Sequence, residues 1–313
     1  MYGFSLHRTK TLEAEYLAKF ASSTWDGRKK KFASLLRRKL QNVPALVGMT
    51  YDMVLVAPFD KLVDIYYDFK DVKSTLTERD IRALKSCFPY DGNGDMIMKF
   101  IESHVKISES TTCPYCDCEE IFIGKDEEGN RNYELDHYLD KGTCPIVALS
   151  LYNLIPVCHL CNRKKGQHAF GDDRMRTKLL SPFNPSYDFE NHAEFEVVLG
   201  TIQDTAKNRT TQSYEDANIL LPNPDAPYGE ELSRTEIESR YYSNKKSKKH
   251  QEMVGYFRYI SRHRNLIYRM FDSIFKPAAE LLLPLPSEEE HRKGMRVPYD
   301  KYRRDIDRKY RKR

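Results

Sequence analysis

No stretch of this 313-residue sequence approaches the roughly 18 consecutive apolar residues that a membrane span needs. The first ten residues mix polar and apolar side chains, so they lack the apolar core of a secretory leader. A membrane role is therefore not expected, and the cytoplasm is the expected location. No internal repeat is present either. Cysteine is scarce and odd in number, seven in all, which argues against the disulfide framework of a secreted domain.

What the chain does have is charge. Hydrophobic residues make up 40% of it and charged ones 31%, with a strongly negative mean hydropathy. This composition suits two or three modest cores under large solvated surfaces. The net charge of +5 is unevenly spread. From Arg240 to Arg313 there are 21 Lys and Arg against nine Asp and Glu, a net of +12, so residues 1–239 carry −7. A basic C-terminal third on an otherwise acidic chain is an electrostatic footprint for a polyanion, and a solvated helical face is the plainer alternative.

Local patterns divide the chain into three parts. Residues 1–106 read as helical: Phe32, Leu35, Leu36 and Leu40 recur at helical spacing among Arg28, Lys29, Lys30, Lys31, Arg37, Arg38 and Lys39. Thr77 opens another capped helix running to Cys87, and Asp91-Gly-Asn-Gly94 breaks the pattern. Residues 107–170 form a smaller unit. Its expected strands, Glu119–Gly124 and the alternating Tyr133, Leu135 and His137, are joined as a hairpin, and a short helix follows over Cys158–His168. Residues 171–313 are expected to be mainly helical and basic. They include one strand at Phe195, Val197 and Leu199, a linker over Thr205–Tyr228, amphipathic helices marked by Met253, Phe257, Ile260, Ile267, Met270 and Ile274, and a frayed tail from Arg303. The fold class expected is α+β.

The residues that carry chemistry lie in the middle unit. Cys113-Pro-Tyr-Cys116 and Cys158-His-Leu-Cys161 are two Cys-x-x-Cys turns, each able to present two thiolates to one metal. Together they supply the four ligands of a closed, structural zinc site. Cys87, Cys118 and Cys144 are left as ordinary buried thiols, with Cys118 near enough to be a rival ligand. Between the pairs stand Asp136 and His137, and Asn162 follows the last cysteine. A carboxylate and an amide oxygen suit a hard cation such as Mg²⁺, and a neutral histidine beside it can take a proton from water. Glu134 lies two residues before Asp136 on the same strand face and is expected to hydrogen-bond a neighbour or a nearby water. His159 is expected to be a bystander, since four cysteines suffice.

In order, Cys-x-x-Cys, Leu-Asp-His, and Tyr-Asn-Leu-Ile-Pro-Val-Cys-x-x-Cys-Asn-x-x-Lys over residues 113–165 resemble the HNH endonucleases of the ββα-metal fold, in the zinc-bearing subset that includes phage endonuclease VII. The resemblance implies a DNA phosphodiester hydrolase in which Asp136 and Asn162 hold the catalytic Mg²⁺ and His137 is the general base. Asn153 would pin the loop that carries His137. The last letter of the family name is Asn162 here, which keeps an oxygen ligand. Arg163, Lys164 and Lys165, next on the same helix, are expected to contact phosphates. The phrases Leu-Asp-His-Tyr and Asn-Leu-Ile-Pro are most similar to bacterial antiviral and restriction nucleases, and the large flanks suggest a partner such as an ATPase or sensor subunit. DNA is the expected substrate, with RNA as an alternative. A different class of reading, a non-catalytic zinc module binding nucleic acid or protein, treats Asp136 and His137 as incidental.

Overall fold

Threonine hydroxyls start several of the helices in the N-terminal part. The computed structural model describes residues 8–104, 111–124, 127–184, 187, 196–204, 209–220, 228–229 and 300–311, and within them the protein is α+β. Thr9 caps α1 (Lys10–Ala18) and Thr50 caps α3 (Tyr51–Leu55). Thr77 and Asp80 form a reciprocal capping box on α5 (Glu78–Cys87). Between these lie α2 (Ser23–Lys39) and α4 (Phe59–Val72), and α6 (Gly94–His104) follows the Asp91–Gly94 break. On α2, Phe32 and Leu35 are buried while Arg37, Arg38 and Lys39 face solvent, the division that a 3.6-residue period imposes.

The core under these helices is aromatic. Phe32 and Phe88 meet edge to face at 4.9 Å, Tyr51 stacks on Phe88 at 4.6 Å, and Tyr16 touches Phe20 and Phe100 at 5.1 and 4.9 Å. Such ring pairs add to plain area burial through their quadrupoles. Two hydroxyls tie this core to a distant segment. Tyr16 Oη donates to the Leu149 carbonyl at 2.7 Å, and Ser150 Oγ donates to the Val54 carbonyl at 2.9 Å. The segment they hold contains two short 3-10 turns, Pro145–Val147 and Leu151–Asn153.

The strands pair differently from the expected hairpin. β1 (Thr111–Thr112) is antiparallel to β2 (Glu120–Ile121). β3 (Glu134–His137) is antiparallel to β4 (Leu154–Val157), with Asp136 opposite Ile155 and His137 opposite Leu154. The reason is burial. Leu135 and Asp136 are buried on β3, and all four residues of β4 are buried, whereas β2 has an exposed Glu120 and only two residues in register. A strand with little water on either face needs an apolar partner, which Leu-Ile-Pro-Val supplies. Helix α7 (His159–Lys165) follows β4 and packs on β3, and α8 (Arg174–Leu179) packs on α4.

Two expectations for the C-terminal part are overturned. The linker expected over Thr205–Tyr228 contains β6 (Arg209–Leu220), which pairs antiparallel with β5 (Glu196–Asp204), the strand of Val197 and Leu199. Thr210, Thr211 and Tyr214 favour a pleated strand, and the prolines that suggested a linker begin only at Pro222. The tail expected to fray is helix α9 (Asp300–Arg311) over most of its length, with Tyr302 and Ile306 fully buried. These two lie one helical turn apart and make an apolar seam hidden by the basic composition. The helices expected around Met253–Ile274 lie outside the described residues.

The chain divides into two compact units. One comprises Tyr2–Lys106 with Phe122–Tyr187, and the other Met1, Ile107–Ile121 and Asp188–Arg313. No helix among the described residues is long and apolar enough to cross a membrane.

Candidate metal centre and active site

The four paired cysteines converge. The thiols of Cys113, Cys116, Cys158 and Cys161 all lie within 4.8 Å of one another and are buried. A tetrahedral zinc–thiolate centre has sulfur–sulfur edges of about 3.8 Å, so four soft donors at this spacing fit zinc. The turns are shaped for it. Cys116 and Asp117 both donate backbone N–H bonds to the Cys113 carbonyl, at 3.2 and 2.9 Å, and Asp117 takes a left-handed φ of 56° to close the turn. Thr112 Oγ1 donates to Asp117 Oδ1 at 2.7 Å and holds that conformation. Cys158 caps α7, its sulfur accepting from the Cys161 N–H at 3.4 Å. Cys118 is outside the cluster, its thiol donating to the Cys116 carbonyl at 3.1 Å. Cys87 and Cys144 are buried too, and burial pushes their thiols up to about 11 and about 12, as expected for protonated core residues.

Asp136 and His137 lie at the end of β3, one buried and one half-buried. His137 Nε2 is 3.0 Å from the Ala148 carbonyl, which can only accept. The proton of a neutral ring is therefore on Nε2, and Nδ1 carries the lone pair. Burial first, and then the Lys141 charge, push His137 from the usual range down to about 3, against a smaller upward pull from the Ala148 bond. Tyr90 meets the imidazole edge to face at 4.3 Å, and Lys141 lies over the Tyr90 ring at 4.4 Å while pairing with Asp91 at 3.0 Å.

Asn153 is fully buried and bridges two points of the loop that follows this histidine. Its Oδ1 accepts from the Leu139 N–H at 2.7 Å. Its Nδ2 donates to the carbonyls of Leu139 and Val147, each at 3.0 Å. The Asn153 carbonyl also accepts from the Tyr138 N–H at 2.9 Å. One side chain thus joins the residues after His137 to the residue before Ala148, its hydrogen-bond acceptor.

Helix α7 presents successive turns to β3. Asn162 Nδ2 donates to Glu134 Oε2 at 2.5 Å, which leaves Oδ1 turned away from that carboxylate. Glu134 Oε1 also pairs with His159 Nδ1 at 2.9 Å. Burial opposes the ionisation of Glu134, and the bonds from Asn162 and His159 outweigh it, holding the carboxyl below its ordinary range. One turn further along, Lys165 Nζ lies 3.0 Å from Asp136 Oδ1, 3.0 Å from Oδ2 and 2.8 Å from the His137 carbonyl. Its side chain is 0% exposed, whereas Arg163 and Lys164 face solvent. The expected phosphate contact from Lys165 is thus not available in this conformation. At 100° per residue, Lys165 falls on the strand-facing side of α7 together with Asn162.

Spacing names the cysteines, Asp136, His137 and Asn162 as candidates, and the family resemblance names Asn153, but several contributors to the candidate site carry no local signal. Ala148 acts through its backbone, and Tyr90 and Lys141 are brought in by the fold. Glu134 and Lys165 have a usable sign: two residues at i, i+2 on a strand can each face one of two residues at i, i+3 on a helix. No protein-family model matches the chain, and no solved structure matches it. It is similar to the Septu protein PtuB of Bacillus thuringiensis, at 30% identity over 95 residues, which is 30% of this chain and 33% of that protein. The chain thus matches about a third of the length of that curated relative, and the likeness together with the four-cysteine cluster fits a zinc-bearing module.

Proposed function

We propose that this chain is a metal-dependent endonuclease of the HNH type that hydrolyses DNA phosphodiester bonds, acting in the cytoplasm as the nuclease component of a bacterial antiviral defence or restriction system. The observation that carries this reading is the pairing of a buried carboxylate, Asp136, with an imidazole whose Nε2 is committed to the Ala148 carbonyl. That bond leaves Nδ1 as the acceptor for a proton.

Asp136 and the Asn162 amide oxygen would hold a divalent cation such as Mg²⁺, for which oxygen donors are the right kind. Glu134 supports that role, since it keeps the Asn162 nitrogen and so fixes which way the amide faces. When bound, the ion supplies Lewis-acid stabilisation of the charge that develops on the phosphoryl oxygens and the departing 3′ oxygen. His137 Nδ1 takes the proton from the water that attacks phosphorus in line, and the products carry 5′-phosphate and 3′-hydroxyl ends. Burial and the Lys141 charge favour the neutral form of His137, the form that can accept that proton. Asn153 positions it by fixing Leu139 and Val147. The exposed Arg163 and Lys164 of α7 meet neighbouring phosphates, and the basic C-terminal third adds a longer-range attraction.

The similarity to Septu protein PtuB supports the defence setting, and the length of chain on either side of the motif favours a partner such as an ATPase or sensor subunit. The test is plasmid cleavage with Mg²⁺, with and without the products of neighbouring genes. Cleavage that is lost in His137→Ala, while zinc content and the folded state are retained, supports the proposal. Absence of cleavage with every cation and partner tried would leave a zinc module that only binds.

A further inference from the structure

Lys165 is the feature that the proposed chemistry leaves unused. Three consecutive basic residues end α7, and two of them, Arg163 and Lys164, project into solvent as basic residues normally do. The third has no exposed side-chain surface, which for lysine requires a specific compensating partner. That partner is a carboxylate that is itself only 3% exposed, and the ammonium reaches both of its oxygens at 3.0 Å. A third bond, at 2.8 Å to the His137 carbonyl, fixes the ammonium at the end of β3.

This arrangement has a specific register. Glu134 and Asp136 share one face of β3, two residues apart, and Asn162 and Lys165 share one face of α7, three residues apart. The facing pairs are Asn162 with Glu134 and Lys165 with Asp136. One pair orients an amide, and the other places a positive charge on the carboxylate that a divalent cation would need. A buried carboxylate without a counter-charge is costly, so a fold that keeps Asp136 dry must neutralise it when no metal is bound. A monovalent ammonium on a flexible four-carbon stem can do this reversibly, because it binds as a point charge without fixed geometry.

We infer that Lys165 is a resident substitute for the divalent cation: it neutralises Asp136 in the metal-free protein and must be displaced when the metal binds, so it sets the metal concentration at which the site fills. This inference rests on the reading of Asp136 as a metal ligand. A lysine whose task is only to position Asp136 would have the opposite effect on metal affinity, since its removal would loosen the ligand.

The experiment is Mn²⁺ titration of the zinc-loaded, full-length protein, followed by electron paramagnetic resonance and calorimetry, for wild type, Lys165→Met, Lys165→Gln and Asp136→Asn. Removing the competing charge is expected to make Mn²⁺ bind about tenfold tighter in both lysine variants, a like-charge effect in a site of low dielectric. Unchanged or weaker binding in those variants, with Asp136→Asn abolishing it, would overturn the inference and leave the ligand assignment standing. Binding that survives Asp136→Asn at wild-type affinity would overturn both. A second measurement needs no variant: Lys165 is expected to resist acetylation in the metal-free protein and to become reactive as Mn²⁺ saturates, as read by peptide mass mapping. Resistance that persists at saturation would also sink the idea.

Discussion

Replacing Asn153 by alanine tests whether the loop around His137 is held by one side chain. The substitution deletes three hydrogen bonds inside a site with no solvent exposure: one from the Leu139 N–H, and two to the carbonyls of Leu139 and Val147. A buried polar group left without a partner costs about 1–3 kcal/mol, with carbonyls toward the low end because they keep a second lone pair. Three such groups, one of them an N–H, give a loss of about 3–5 kcal/mol. Urea unfolding of the zinc-saturated protein can measure it through Trp25, which is the sole tryptophan, is buried, and belongs to the same compact unit as Asn153. The midpoint should fall with little change in slope, because the surface exposed on unfolding stays the same. Asn130→Ala, at an exposed position, serves as the control and should shift stability by no more than about 0.5 kcal/mol. A loss below about 1 kcal/mol in Asn153→Ala would refute the pinning argument, because a relaxed loop would then satisfy its own backbone groups.

Three other outcomes follow from the geometry. Cys113→Ser or Cys161→Ser should abolish the binding of one equivalent of zinc by elemental analysis and unfold the surrounding segment, whereas His137→Ala should remain folded and zinc-loaded. His137 is neutral in the folded protein down to about pH 3 but takes its proton near 6.5 when unfolded, so its contribution to stability is complete above pH 6.5 and declines as the pH falls toward 3. The stability gap between wild type and His137→Gln should accordingly narrow by up to about 1.4 kcal/mol per pH unit between 6 and 4, and a constant gap would show that the ring is not desolvated. Thr77→Ala should cost about 1 kcal/mol by removing the hydroxyl that caps α5 at the Asp80 N–H, and a thermal melt indistinguishable from wild type would contradict that assignment.

Much of the candidate site was legible because its spacing is short-range. Cys-x-x-Cys turns, an Asp-His pair and an asparagine after the last cysteine declare themselves within a few residues, and so did the helical stripe of Phe32 and Leu35. What the sequence concealed depends on partners far away in the chain. That β3 pairs with β4 rather than with β2 is decided by which strand is buried on both faces, and alternation over four residues does not reveal that. Prolines at the end of Thr205–Tyr228 suggest a linker, yet Arg209–Leu220 contains none and forms a strand. In the tail, average basic composition hides two apolar residues, Tyr302 and Ile306, at helical spacing. Lys165 shares the charge of Arg163 and Lys164, and only the rotation of α7 against β3 separates it from them.

The bonds from Tyr16 to Leu149 and from Ser150 to Val54 also bear on how this site can be moved between proteins. The residues that resemble a known nuclease motif span 113–165, and a designer would excise roughly that stretch. Yet the backbone that accepts the His137 Nε2–H bond is followed by Leu149 and Ser150, which are held by residues 133 and 96 positions earlier in the chain. A graft cut at the motif boundaries would carry every recognisable residue and leave behind two of the anchors that keep Ala148 in place. Evolution faces the same restriction: Tyr16 and the backbone at Val54 are inherited with the histidine they help to aim.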